Sequence, residues 1–214
     1  MAQTAPDYVF ETVGDLLESL GGIPPGRVHL VPHPGTATVE DVIRIHDREN
    51  RLCELVDGTL VEKTAGARES FLALELAFHV QSFNAQSGNR GMLLGADGAF
   101  RLMRGLVRIP DCSFTRWDRL PGGKVPAEPI PDLIPDLAIE VLSSENGTRE
   151  MERKLKEYIL CGVRLVWYAD PATRTVRVFS GSTDATELTE VDVLDGADVL
   201  PGFRLPVRQL FAKL

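Results

Sequence analysis

Pro135-Asp136-Leu137-Ala138-Ile139-Glu140-Val141-Leu142-Ser143 reads as a strand buried on both faces, an apolar run too short for a core helix and broken by a single acid. Such a strand belongs at the centre of a sheet covered by helices. Glu140 is out of place in it, because a charge there costs several kcal/mol unless a cation or a donor compensates. Side chains alternate along a strand, so Asp136, Ala138 and Glu140 share one face and Leu137, Ile139 and Val141 the other. Asp136 and Glu140 then stand about 13 Å apart at ~3.3 Å per residue, too far to hold one ion together. Asp136 is better suited to accepting backbone N–H bonds where the chain enters the strand.

A second embedded acid lies upstream in Val107–Thr115, where Asp111 follows Pro110 among apolar neighbours. Asp111 and Glu140, arriving on separate strands, can converge on one metal, and oxygen-only ligation suits Mg²⁺ or Mn²⁺ rather than zinc. His29, His33, His46 and His79 form no metal-spaced pair. A lysine would complete a phosphodiester-cleaving site, because its ammonium can orient or deprotonate an attacking water and offset charge on the phosphate. The position two residues after Glu140 is Leu142, so that lysine has to come from elsewhere. Asn146 or Thr148 caps a helix that runs to Cys161 and stops at Gly162. Its apolar arc is Met151, Leu155, Tyr158 and Ile159, and Lys154 flanks that arc about 40° from Tyr158, able to snorkel to the sheet edge. The bland alternative remains open: two structural carboxylates paired with arginine, and a solvated helix lysine.

Other elements follow from local signals. Leu52–Val56 and Thr59–Lys63 read as a hairpin turned by Asp57-Gly58. Ala67–Ser87 carries Phe71, Leu74, Phe78 and Phe83 among Leu72, Leu76 and Val80, which predicts a core helix. Met92–Leu94, Phe100–Met103 and Val107–Thr115 read as a meander, Arg164–Ala169 and Thr175–Ser180 as a strand pair, Glu187–Val193 as an edge strand and Val207–Phe211 as a short helix. Residues 1–50 look like a variable N-terminal extension with one helix, Val13–Leu20, after which Pro24, Pro25, Pro32 and Pro34 break regular structure. Residues 51–214 form the domain, with its core in about 51–180.

The 214 residues are 43% hydrophobic and 25% charged, the composition of a globular chain. Thirty-one acids against 23 bases leave a net charge of −8, which excludes a protein that coats nucleic acid with its whole surface. That charge sits in the flanks, with eight acids against three bases in 1–50 and six against three in 178–214. Residues 90–124 hold Arg90, Arg101, Arg104, Arg108, Arg116, Arg119 and Lys124 against three acids, a local surplus around Asp111 suited to a phosphate-binding groove. Cys53, Cys112 and Cys161 stand far apart and read as buried thiols. No run approaches the roughly 18 apolar residues of a membrane span, and no secretory or transit leader is visible. The expected location is the cytoplasm, with no membrane partner.

Glu54-Leu55-Val56-Asp57-Gly58, Pro110-Asp111, the 135–143 stretch, and Lys154 to Trp167 with Tyr158, Gly162-Val163 and then Asp170-Pro171 together resemble the Uma-type (Uma2/DUF820) restriction endonuclease family of the PD-(D/E)XK nuclease superfamily. The resemblance covers about residues 50–180. It implies an α/β fold with a restriction-endonuclease-like core, a mixed β-sheet flanked by helices. It also implies a metal-dependent endonuclease acting on DNA, with Asp111 and Glu140 as ligands of Mg²⁺ or Mn²⁺, Lys154 as the catalytic lysine and Glu54 as an auxiliary acid. The departure from the superfamily pattern is Glu140-Val141-Leu142, which lacks the terminal lysine. Cutting both strands would suit a homodimer. Two other readings stay open: a non-catalytic interaction or binding module that retains the nuclease fold, and a hydrolase of smaller phosphoesters.

Overall fold

The computed structural model describes residues 10–64 and 66–214, so the first nine residues of the N-terminal extension lie outside it. Thr12 and Asp15 form a capping box at α1 (Val13–Ser19), and Thr38 and Asp41 do the same at α2 (Val39–Glu49). The proline-rich lead-in therefore holds a helix that its sequence hides, because the prolines end before Thr38 and the cap resets the chain. β1 (Cys53–Val56) and β2 (Thr59–Glu62) pair antiparallel through a turn in which both Asp57 and Gly58 take positive φ.

α3 (Ala67–Gln86) leads into β3 (Gly91–Leu94), then β4 (Phe100–Met103), β5 (Leu106–Arg108) and β6 (Cys112–Arg116). Val107–Thr115 is thus two strands rather than one. Pro110, which has no N–H to give a ladder, marks the break where the chain crosses from one sheet to another. The expected meander is split accordingly. β4 and β5 extend the hairpin into a four-stranded sheet of order β2-β1-β5-β4, whereas β3 and β6 join a second sheet. That sheet has six strands, adding β7 (Leu137–Val141), β8 (Leu165–Asp170), β9 (Thr175–Ser180) and β10 (Ala185–Leu188) in the order β10-β9-β8-β7-β6-β3. β7 and β8 run parallel and are joined across the sheet by α4 (Thr148–Cys161), while the other pairings are antiparallel. A ribbon of β11 (Val193–Asp195) and β12 (Arg204–Pro206) precedes α5 (Val207–Leu210). The edge strand therefore ends at Leu188, and Val193 belongs to the ribbon.

β7 sits between two layers, and its alternation decides what each layer receives. Leu137, Ile139 and Val141 face α3, packing with Leu72, Leu76, Val80 and the ribbon's Leu194 and Leu205. Ala138 faces α4, packing with Met151, Leu155 and Tyr158. The apolar positions of α3 divide: Leu72, Leu76 and Val80 are fully buried, whereas Leu74 and Phe78 stay 69% and 62% exposed and Phe71 also lies outside the core. α1, with Leu16 and Leu20, packs with Ile23, Val56 and Val61, and α2 packs through Val42 and Ile45 against Cys53, Leu55 and Leu60. α4 is capped by Gly147 and ends at Gly162 in the left-handed conformation. Asn146 instead accepts hydrogen bonds from the Ser143 N–H and hydroxyl, closing the turn before the helix. The three cysteines are free, and burial pushes the Cys53 thiol up to about 11 and the Cys112 thiol up to about 12.

Candidate active site

The face of β7 that carries Ala138 toward α4 also carries Glu140, and the helix answers with two side chains. Lys154 Nζ lies 2.9 Å from Glu140 Oε1, and the Tyr158 hydroxyl donates to the same oxygen at 2.5 Å. Lys154 does not snorkel. Its side chain is 8% exposed, drawn inward because a second buried acid, Glu54, places Oε1 3.0 Å from the same ammonium. Glu54 is on the inner side of β1 and not on a solvent face. Its Oε1 accepts the Ile109 N–H at 2.9 Å, and its Oε2 accepts Arg108 Nη1 at 2.6 Å. Arg108 in turn binds Glu157 of α4, which ties the four-stranded sheet to the helix.

Asp111 comes from the link between β5 and β6. Its N–H donates to the Ile139 carbonyl at 2.9 Å, and its Oδ2 accepts the Val141 N–H at 2.7 Å, which fixes the carboxyl against the end of β7. Its Oδ1 lies 2.9 Å from Lys63 Nζ, a residue just past β2. Asp111, Glu140, Glu54, Lys154 and Lys63 all line one cavity of about 300 Å³ with Glu69, and Arg27 and Glu150, paired at 2.8 Å, are also part of its wall. A larger cavity of about 820 Å³, lined by Thr38, Leu55, Arg101 and Asp132, holds none of these acids or lysines, so size does not locate the chemistry.

The charges tune one another. Burial raises the Glu54 carboxyl, but Lys154 and then Arg108 outweigh it and hold the acid well below the usual carboxylate range. Glu140 shares Lys154 but has no arginine partner among the described residues. Burial raises it, Lys154 opposes, and the neighbouring charges of Asp111 and Glu54 leave it above its ordinary value. Burial would lower Lys154, yet Glu140 and Glu54 prevail and keep it a cation. Burial, with Glu140 beside it, keeps the Tyr158 hydroxyl protonated far above neutral pH.

The donor chemistry fits a hard divalent ion. Asp111 and Glu140 offer only oxygen, they lie near enough for the charge of one to raise the other, and a lysine ammonium already stands against each of them. Among the described residues no three His, Cys, Asp or Glu side chains form a metal-holding group, so an ion here would rest on two carboxylates with water completing its shell, as Mg²⁺ commonly does.

Four cations of the 90–124 surplus are committed to acids and so are not free to line a phosphate groove. Arg101 pairs with Asp132, Arg108 with Glu54 and Glu157, Arg116 with Asp118, and Arg119 with Asp136. Asp136 also accepts the Arg116 N–H at 2.9 Å, the role expected at the strand entrance. Sequence reasoning missed Lys63, Arg108 as an ion-pair partner, and Arg27. The available signal was Arg108 alternating with buried Val107 and Ile109; Lys63 gave none.

Known proteins share this arrangement of elements. The profile of Uma2, described as "Putative restriction endonuclease", matches residues 39–208. The chain belongs to the Uma2 family. No curated protein matches it significantly. Among solved structures, the Uma2 chain is similar to a crystal structure titled as "a putative nuclease belonging to DUF820" from Anabaena variabilis ATCC 29413. The TM-score is 0.70 at 18% identity, covering 82% of this chain and 97% of that one. At that identity the likeness establishes the fold, a restriction-endonuclease-like α/β core with a mixed sheet between helices. The Uma2 match begins at Val39, the first residue of α2, and so takes in a helix that lies upstream of the motifs first noticed. No helix among the described residues is long and apolar enough to cross a membrane.

Proposed function

We infer that this Uma2 chain is a metal-dependent endonuclease that hydrolyses DNA phosphodiester bonds at the cleft of Asp111, Glu140, Glu54 and Lys154. What supports the reading is the meeting, in one cavity, of side chains from β1, the β5–β6 link, β7 and α4, segments far apart in the chain. Asp111 and Glu140 would hold Mg²⁺ or Mn²⁺, which supplies Lewis acidity toward the phosphate oxygens. Lys154, held as a cation by its two acids, donates hydrogen bonds and offsets the charge that grows on the phosphate as the attacking water adds. Glu54 anchors Lys154, Arg108 keeps Glu54 ionised, and Tyr158 fixes the orientation of Glu140.

The test is supercoiled plasmid incubated with the purified chain and Mg²⁺ or Mn²⁺. Nicked and linear products should form, disappear with EDTA, and fall about a hundredfold or more in Lys154→Met and Glu140→Gln. Equal cutting by the wild type and an Asp111→Ala, Glu140→Ala double variant overturns the assignment.

A further inference from the structure

Lys63 has no part in the machinery just described, yet it is the partner of Asp111. It follows β2 directly, where its own N–H donates to the Leu52 carbonyl at 2.8 Å and closes the open end of the hairpin. Its ammonium has three protons and three acceptors: Asp111 Oδ1 at 2.9 Å, the Ile109 carbonyl at 2.8 Å and the Ala96 carbonyl at 3.1 Å. The side chain is only 12% exposed. Among the described residues Asp111 has no other cation. Glu54 and Glu140 share Lys154, Glu54 has Arg108 as well, and the other oxygen of Asp111 is committed to the Val141 N–H.

Such an arrangement sets two cations against each other. A divalent ion binds a carboxylate oxygen at about 2.0–2.1 Å, so an ion on Asp111 would stand within a few ångströms of an ammonium that touches the same carboxyl. Repulsion at that range in a shielded cleft is strong. Lys63 also has somewhere to go: two of its three acceptors are backbone carbonyls that take no part in holding metal, so it can leave Asp111 without being stripped of partners.

The geometry points to Lys63 as a built-in competitor for the metal position, a latch that neutralises Asp111 in the resting protein and must disengage when a divalent cation loads. Metal occupancy is then set by an exchange of one cation for another. The inference rests on the metal-dependent reading of the cleft, and it concerns what regulates that site.

Mn²⁺ binding measured by titration calorimetry tests it without any cleavage assay. Lys63→Gln keeps an amide donor for the two carbonyls and removes the charge, and it should bind Mn²⁺ at least tenfold more tightly than the wild type. Lys63→Arg, which keeps the charge, should bind no more tightly than the wild type. Asp111→Asn should lose binding in either background. A second measurement needs no variant: acylation of lysines in the wild-type chain, read by mass spectrometry, should rise severalfold at Lys63 when Mn²⁺ is added. Unchanged or weaker binding in Lys63→Gln, or Lys63 labelling that stays level or falls with Mn²⁺, overturns the latch. If that happens while Asp111→Asn still abolishes Mn²⁺ binding, the metal reading stands and only the latch is lost. If neither the wild type nor Lys63→Gln binds Mn²⁺, both fall together.

Discussion

Arg108 and Lys154 are two buried cations among three acids, Glu54, Glu140 and Glu157, and the balance depends on all of them. Removing one member of a buried ion pair leaves an uncompensated charge, which costs about 3–5 kcal/mol. Arg108→Met takes one cation from each of Glu54 and Glu157, leaving them Lys154 and Arg153, and urea unfolding at neutral pH should register a loss at the lower end of that range. The pH dependence has a definite sign. Glu54 is depressed in the folded state, so its stabilisation is complete above the unfolded value of 4.5 and is lost as pH falls below it. Without Arg108 the folded carboxyl titrates at a higher pH, so the curves of variant and wild type should converge in acid. A deficit that stays constant from about pH 6 to about pH 3 would mean that the arginine acts by packing and not by charge. Glu140 was legible in the sequence because its neighbours along the strand are all apolar, a purely local contrast. Lys63 was not, because a lysine at a strand end has the same local pattern whether it meets solvent or an acid brought in from another sheet.

Turns carry the same lesson at the scale of elements. Asp57-Gly58 announced the β1–β2 hairpin, but not that the turn is where the N-terminal segment docks. The Gly58 carbonyl accepts the N–H groups of Gly35 and Ala37, at 2.9 and 2.8 Å. A Cβ on Gly58, at φ +68°, would lie 2.5 Å from the Gly35 carbonyl carbon and oxygen. Gly105, between β4 and β5 at φ +75°, has no atom of the described residues within 4 Å of the same position. Gly105→Ala should therefore cost only the left-handed backbone penalty, about 1 kcal/mol. Gly58→Ala adds a backbone collision and should cost about 2–3 kcal/mol. Thermal melts separate the two at about 2–4 °C per kcal/mol, and equal shifts would show that the 35–37 segment yields freely. Elements with self-contained signals, such as the hairpin and α4 with its terminal Gly162, were legible for this reason. The division of 107–115 between two sheets was not, since alternation records which residues face inward and not which sheet receives them. α3 misled in another way: it is apolar on more than one side, and only the packing of β7 selects Leu72, Leu76 and Val80 over Leu74 and Phe78.

For the whole molecule, the proposed function requires a chain of net charge −8 to meet a polyanion. The local excess in 90–124 suggests a basic groove, but folding commits four of its arginines to acids, two of them, Asp132 and Asp136, brought from beyond the segment and others, Glu54 and Glu157, from distant elements. Lys154 and Arg108 are buried, and Lys63 is nearly so. Each phosphate neutralised by a protein cation contributes about −0.9 to the slope of log K against log salt on duplex DNA. With four of its cations committed to acids, the segment should give a slope no steeper than about −3, against the roughly −6 expected if all seven 90–124 cations each met a phosphate. Fluorescence anisotropy of a labelled duplex across a KCl series in EDTA measures this directly. A slope near about −4.5 would mean that the Arg101–Asp132 and Arg116–Asp118 pairs, both at the surface, open to embrace the backbone. Under the proposed function a shallow slope would leave divalent metal as the principal positive charge at the point of contact, so that added Mg²⁺ should strengthen binding of the duplex more than the loss of monovalent salt does.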